Sequence, residues 1–168
     1  GRLGHAIVAH PEAFTEKDRY SMEWYYPILG GALRGQAAAE RIKQRWDDFV
    51  VGDLGIRCVD DRPWVTGAET CELVMAFDAI GQRSTALRQF AAMQHLREDD
   101  GSYWTGLVFA DGKRWPEERT TWTGAAMILA ADALSDTTGA GGIFRGDGLP
   151  MGLQTGFDCE CVVTGPGR

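Results

Sequence analysis

The chain has 168 residues, 44% of them hydrophobic and 24% charged, and about 150 residues is the usual size of one domain. No apolar run approaches the roughly 18 residues of a membrane-spanning helix, so a transmembrane protein is excluded. With 24 acidic against 17 basic residues the formal charge is −7, a poor footprint for nucleic acid or an anionic membrane surface.

The opening GRLGHAIVAH has neither the basic region nor the long apolar core of a secretory leader, which makes the cytoplasm the expected compartment. The first residue is not methionine and the pattern begins as though in mid-structure, so a fragment is expected. Residues 20–33 (YSMEWYYPILGGAL) predict a largely apolar helix that Pro27 kinks or starts, since proline has no N–H to donate. Over 36–50, Ala38, Ala39, Ile42, Trp46, Phe49 and Val50 fall at helical spacing opposite Glu40, Lys43, Arg45 and Asp47, which predicts a one-sided helix. Residues 67–80 (GAETCELVMAFDAI) are apolar almost all round and predict a helix covered on several sides. Residues 83–97 return to the one-sided type, with Leu87, Phe90, Ala91 and Leu96 inward. A short strand is predicted at 106–110 and another at 161–164. Residues 121–134 (TWTGAAMILAADAL) form a second all-apolar helix.

The two apolar helices align, Thr66 on Thr120 and Asp78 on Asp132, at a period of roughly 50 residues, the range in which repeats imply stacked helix pairs. They are expected to lie parallel, adjacent and deeper than the one-sided helices. The reading is therefore all-α, with helix-hairpin repeats over 1–136 and an irregular glycine-rich tail over 137–168. That tail contains Cys159-Glu160-Cys161, and with Cys58 and Cys71 the four cysteines are too few for a disulfide scaffold.

Gln94 through Trp104 read QHLREDDGSYW, which resembles the Gln…Gly-x-x-Trp element of the terpenoid cyclase and protein prenyltransferase superfamily. YSMEWYY, RPWVTGAETCELVMAFDAIGQ and WPEERTTWTGAAMILAADALS resemble, in that order, bacterial proteins labelled prenyltransferases. Over about 20–144 the resemblance implies part of an α/α toroid, with three inner helices and an aromatic cavity that binds an isoprenoid or other apolar substrate. In the resembling element Gln94 would bond a turn near a helix end, Trp104 would pack over it and Gly101 would allow the turn. Magnesium is implied only if a prenyl diphosphate is used, with Arg57, Arg62 or Arg119 to meet it. CVDDR departs from the family: Cys58 stands where an acid motif has its first Asp, no third carboxylate follows Asp60 and Asp61, and no Asp-x-Cys supplies a zinc signature.

The candidate acids are Glu69, Glu118, Asp60 and Asp61. The candidate substrate contacts are Trp64, Trp104, Trp115, Trp122, Tyr25 and Arg119, whose rings can stabilise a cation or stack a sugar. Asp78 and Asp132, near helix C-termini where negative charge is disfavoured, call for an arginine or hydrogen-bond partner. A second functional class is a carbohydrate-processing toroid enzyme with paired carboxylates, Glu117 and Glu118, beside Trp115 and Trp122. The third is a non-catalytic binding or assembly module. Half a ring would leave apolar surface on 20–33 and 121–134, so missing upstream repeats or self-association is expected.

Overall fold

The computed structural model describes residues 2–147. Among these, helices α1 (Arg2–Ala9), α2 (Ser21–Leu29), α3 (Gly35–Gln44) and α4 (Trp46–Phe49) precede a five-stranded antiparallel meander. Its strands are β1 (Val50–Val51), β2 (Gly55–Arg57), β3 (Trp64–Thr66), β4 (Gly106–Val108) and β5 (Lys113–Arg114), hydrogen-bonded in chain order. Helices α5 (Gly67–Ala79) and α6 (Arg83–Ala92) lie between β3 and β4 in sequence, and α7 (Thr121–Ser135) follows β5. The all-α expectation is overturned: the fold mixes helix with sheet. Strands of two or three residues are too short to display the alternation by which a strand is read from sequence.

Helix α5 is the centre of the core. Every residue from Gly67 to Asp78 except Glu69 is buried, under α2, α6, α7 and β2. Helix α7 runs parallel beside it. A methyl group on Gly67 would lie 2.9 Å from Thr123 Cγ2, Cys71 Sγ is 3.1 Å from Met127 Sδ, and Arg145 joins Asp78 to the carbonyl of Ala133. Thr66 and Thr120 both stand at helix N-caps, but only Thr120 caps through its hydroxyl, accepting from Thr123 N at 3.2 Å. Among the described residues the outer face of α7 is uncovered and the helix is not enclosed as its composition suggests: Trp122, Ile128 and Leu129 are 62%, 71% and 43% exposed.

The expected helix over 36–50 breaks at Arg45 (φ −127°). There the guanidinium is drawn onto the Asp18 carbonyl, Asp48 and Asp60, and Val50 enters the sheet. The helix expected over 83–97 ends at Ala92 and tightens into a 3-10 turn, Met93–Leu96. It turns Ala86, Gln89 and Met93 inward, and leaves Leu87 48% exposed. Pro27 sits inside α2. Its missing N–H leaves the Glu23 carbonyl free, and Arg41 Nη2 donates to that oxygen at 2.8 Å.

At the far end of α5, Asp78 pairs with Arg145 at 2.6 Å, and the same guanidinium binds Asp136 and Asp147, each at 2.9 Å. Asp132 accepts from Thr138 N and Oγ1 at 2.8 and 2.6 Å. Both aspartates therefore have partners that offset their position at a helix C-terminus. Cys159, Cys161 and the strand expected at 161–164 lie outside the described residues. No helix among those described is long and apolar enough to cross a membrane.

Candidate active site

The start of α2 meets the loop between β2 and β3, and two backbone hydrogen bonds fix the meeting. Ser21 N donates to Cys58 O and Asp60 N to Arg19 O, each at 3.0 Å, and Tyr20 bridges Val59. Between them opens a cavity of about 510 Å³, with walls formed by Tyr20, Trp64 and Trp115, by Cys58, Val59, Pro63 and Val108, and by two cations, Arg19 and Arg62. Trp64 and Trp115 meet edge to face, centroids 4.7 Å apart at 81°, a favourable arrangement of ring quadrupoles. Trp64 Nε1 donates to the Trp115 carbonyl at 2.8 Å. The indole lies so close to β4 that a methyl group on Gly106 would collide with Nε1 and come within 2.5 Å of Val65 O.

Behind the Cys58 wall lie two carboxylates, Glu69 and Glu72, three residues apart and so on one face of α5. Glu72 is buried, 8% exposed. Its Oε2 accepts from Tyr25 Oη at 2.6 Å and its Oε1 from Tyr26 Oη at 3.5 Å. Burial raises the Glu72 carboxyl above its ordinary range, the charge of Glu69 raises it further, and the two tyrosine hydroxyls pull it back. Burial first, and then the charge of Glu72, lifts Tyr25 well above its ordinary value and Tyr26 to about 12. The Cys58 thiol bonds Glu69 and is pushed up to about 12, by burial first and then by that carboxylate. A carboxyl whose proton affinity is raised beside a second, less buried carboxylate is an arrangement suited to proton transfer.

The sequence candidates divide between this cluster and other surfaces. Trp64 and Trp115 wall the cavity, whereas Glu69 and Tyr25 belong to the adjoining carboxylate cluster, linked to it through Cys58. Asp60 and Asp61 are committed to arginines, Asp60 to Arg45 at 2.8 Å and Asp61 to Arg19 at 3.0 Å. The bond from Arg19 holds the Asp61 carboxyl below its usual range. Arg57 stacks over Phe109 and donates to Asp60 O. Arg119 lies over the Trp104 ring at 4.7 Å and bonds Asp100 and Ser102, beside a separate depression of about 330 Å³ that also includes Tyr103, Thr120 and Ile128. Trp104 donates to Glu98. Gln94 does bond at a helix end, to Phe90 O, but Tyr103 rather than Trp104 completes the contact. Glu117 and Glu118 are exposed, and the Glu118 backbone carbonyl accepts from Thr105 N. Trp122 is on the open face of α7.

Sequence reasoning missed Glu72, Tyr26 and the part played by Cys58. The signal was there: a glutamate flanked by Cys71 and Leu73 in an otherwise apolar helix has to be buried, and a buried carboxylate demands partners.

No family model matches the chain. Among curated proteins it is 74% identical, over 164 residues, to a protein of Mycolicibacterium hassiacum named MMP endo-(1,4)-3-O-methyl-alpha-D-mannosidase. The match takes in 98% of this chain and 46% of the relative, so the chain spans about half the relative's length. A relative so similar bears the name of a mannosidase and not of a prenyltransferase or terpenoid cyclase, and the fold carries a five-stranded sheet. Together these overturn the toroid resemblance and the isoprenoid reading built on it. The prenyl diphosphate for which magnesium was invoked falls with them.

Proposed function

We propose that this chain contributes the acid cluster and a sugar-stacking wall to an endo-acting α-mannosidase that cleaves (1,4)-linked 3-O-methylmannose chains. Besides the similarity to the mannosidase, one observation carries this reading: Cys58, in the wall of the cavity that Trp64 and Trp115 also line, bonds Glu69, which lies on one face of α5 with Glu72, buried and held by two tyrosines. Glycoside cleavage calls for an acid to protonate the leaving oxygen and a second carboxylate at the anomeric carbon or its attacking water. In the proposed step Glu72 holds the proton that goes to the leaving O4 as the C1–O4 bond breaks. Glu69 takes a proton from the water that adds to C1. Tyr25 and Tyr26 position Glu72, and Trp64 and Trp115 stack the sugar through their C–H-binding faces. Asp60 and Asp61 brace the wall through Arg45 and Arg19. Glu118, Trp104, Trp122 and Arg119 take no part.

The test is release of reducing ends from a (1,4)-linked 3-O-methylmannose oligosaccharide. Glu69→Gln and Glu72→Gln should each lower kcat by about 10²- to 10⁴-fold, the usual worth of a positioned acid or base, with folding cooperativity retained. A Glu69→Gln variant that turns over at the parent rate removes the assignment.

A further inference from the structure

The cavity wall holds two guanidinium groups that differ in their commitments. Arg19 is held by Asp61 at 3.0 Å and by the Tyr20 hydroxyl. Arg62, an exposed residue of the same wall, has no hydrogen bond or ion pair through its side chain among the described residues, and acts on Asp61 only through space. Its backbone is nonetheless fixed. Trp64 N donates to Arg62 O at 2.9 Å and Phe109 N to Pro63 O at 2.8 Å, and the following proline biases Arg62 toward extended conformations. A side chain with five donors is thus rooted two residues from Trp64, whose indole lines the cavity beside Trp115.

The other donors of the wall are committed or weaker. The Trp64 N–H goes to the Trp115 carbonyl, and the Cys58 thiol to Glu69. The Tyr20 hydroxyl and the Trp115 N–H are neutral, and a hydrogen bond from an ionised donor is about twice as strong as a neutral one. A sugar stacked on an indole sets its carbon face against the ring and carries its oxygens around its edge, so a polar group beside the stack has to fix its orientation. An internal unit of a (1,4)-linked 3-O-methylmannose chain keeps hydroxyls at C2 and C6 alone.

We infer that Arg62 is a substrate-binding residue: with the sugar stacked on the indole pair, its guanidinium donates to the oxygen on C2 or C6 and fixes which edge of the ring enters the cavity. The inference rests on the proposed mannosidase reading for the identity of the sugar, and gives a side chain to a task that reading leaves open.

Calorimetric titration of the chain with a (1,4)-linked 3-O-methyl-α-mannose tetrasaccharide, and with its 2-deoxy and 6-deoxy analogues, tests this without requiring turnover. Arg62→Met keeps an aliphatic stem and removes the donors. It should weaken the tetrasaccharide by about 10- to 100-fold, the worth of a hydrogen bond from a charged group, and leave the thermal midpoint unchanged. One of the deoxy analogues should bind the parent as weakly as the tetrasaccharide binds the variant, and Arg62→Met should weaken that analogue no further, a coupling that a merely structural role would not produce. Unchanged affinity in the variant, equal losses for all three sugars, or no binding by the parent would each overturn the role, as would tighter binding of inorganic phosphate than of the tetrasaccharide, the mark of an anion site. Hydrolysis of the tetrasaccharide separates the two claims, with KM rising and kcat holding in Arg62→Met as the expected result. Binding that depends on Arg62 without cleavage defeats the hydrolase reading and leaves Arg62 its role, whereas cleavage by Arg62→Met at the parent KM does the reverse.

Discussion

Folding raises the Glu72 carboxyl above its unfolded value, by burial first, and this sets the sign of its effect on stability. Below the unfolded value of about 4.3 both states are protonated and the fold suffers no penalty. As pH rises toward and through the raised folded value the unfolded state releases its proton first, so stability falls with pH. Glu72→Gln should abolish that decline and be more stable than the parent at neutral pH. Urea denaturation of both proteins from pH 4 to 8 measures it, and identical curves would mean that the carboxyl is not desolvated. Cys58 offers an independent check. With its thiol at about 12, almost none is thiolate at pH 8, and thiolate is the form that reacts. Site-resolved mass spectrometry should find it alkylated far more slowly than glutathione, although it lines the cavity. Glu69 was legible in the sequence because it opens a helix. Cys58 was noticed only as a departure from an acid motif, because spacing along the chain does not reveal which side chain lies across from it.

Thr70 holds β2 onto α5: its Oγ1 accepts from Ile56 N at 3.0 Å and donates to Thr66 O at 2.6 Å. Gly55, at φ +109°, makes room for it, since a methyl group there would lie 2.6 Å from that oxygen. Thr70→Val preserves the shape and leaves a buried N–H without a partner, so it should destabilise by about 1–3 kcal/mol, read from the thermal midpoint. Gly106→Ala should cost a further overpacking penalty of about 1–3 kcal/mol and, by displacing Trp64, weaken sugar binding as well. Helices α5 and α7 fall within one residue of their sequence-read bounds because a long apolar run with a threonine at its start is a strong local signal. Of the sheet only β4 was read, as a strand over 106–110, and the rest was illegible for the opposite reason. Its strands are two or three residues long, and the one long-range pairing among the described residues, β3 with β4 across two helices, joins segments that sequence order does not disclose as partners.

At the scale of the molecule, one-sided and apolar helices alternating at a period near 50 suggested a ring, but α5 lies beside α7 and packs on β2 and β3 of a sheet, which meets the same need for burial. The composition of α7 then misleads, since its outer apolar residues are left uncovered among the described residues. Ile128, 71% exposed, should accept Lys with a change within about 0.5 kcal/mol, and light scattering should show a higher solubility limit. A large fall in the thermal midpoint would mean that Ile128 is covered. The edge-to-face pair at the cavity has a consequence of another kind. Trp64 and Trp115 stand 51 positions apart in the chain, yet their rings are only 4.7 Å apart in the fold. Electronic transitions of two indoles so close and so inclined couple, and the coupling splits their ultraviolet absorption into a pair of circular-dichroism bands of opposite sign. The protein thus carries an optical signature of its own tertiary closure, silent in any state where helices have formed but β3 and the chain after β5 have not come together, and altered by whatever comes to rest between or upon the two rings.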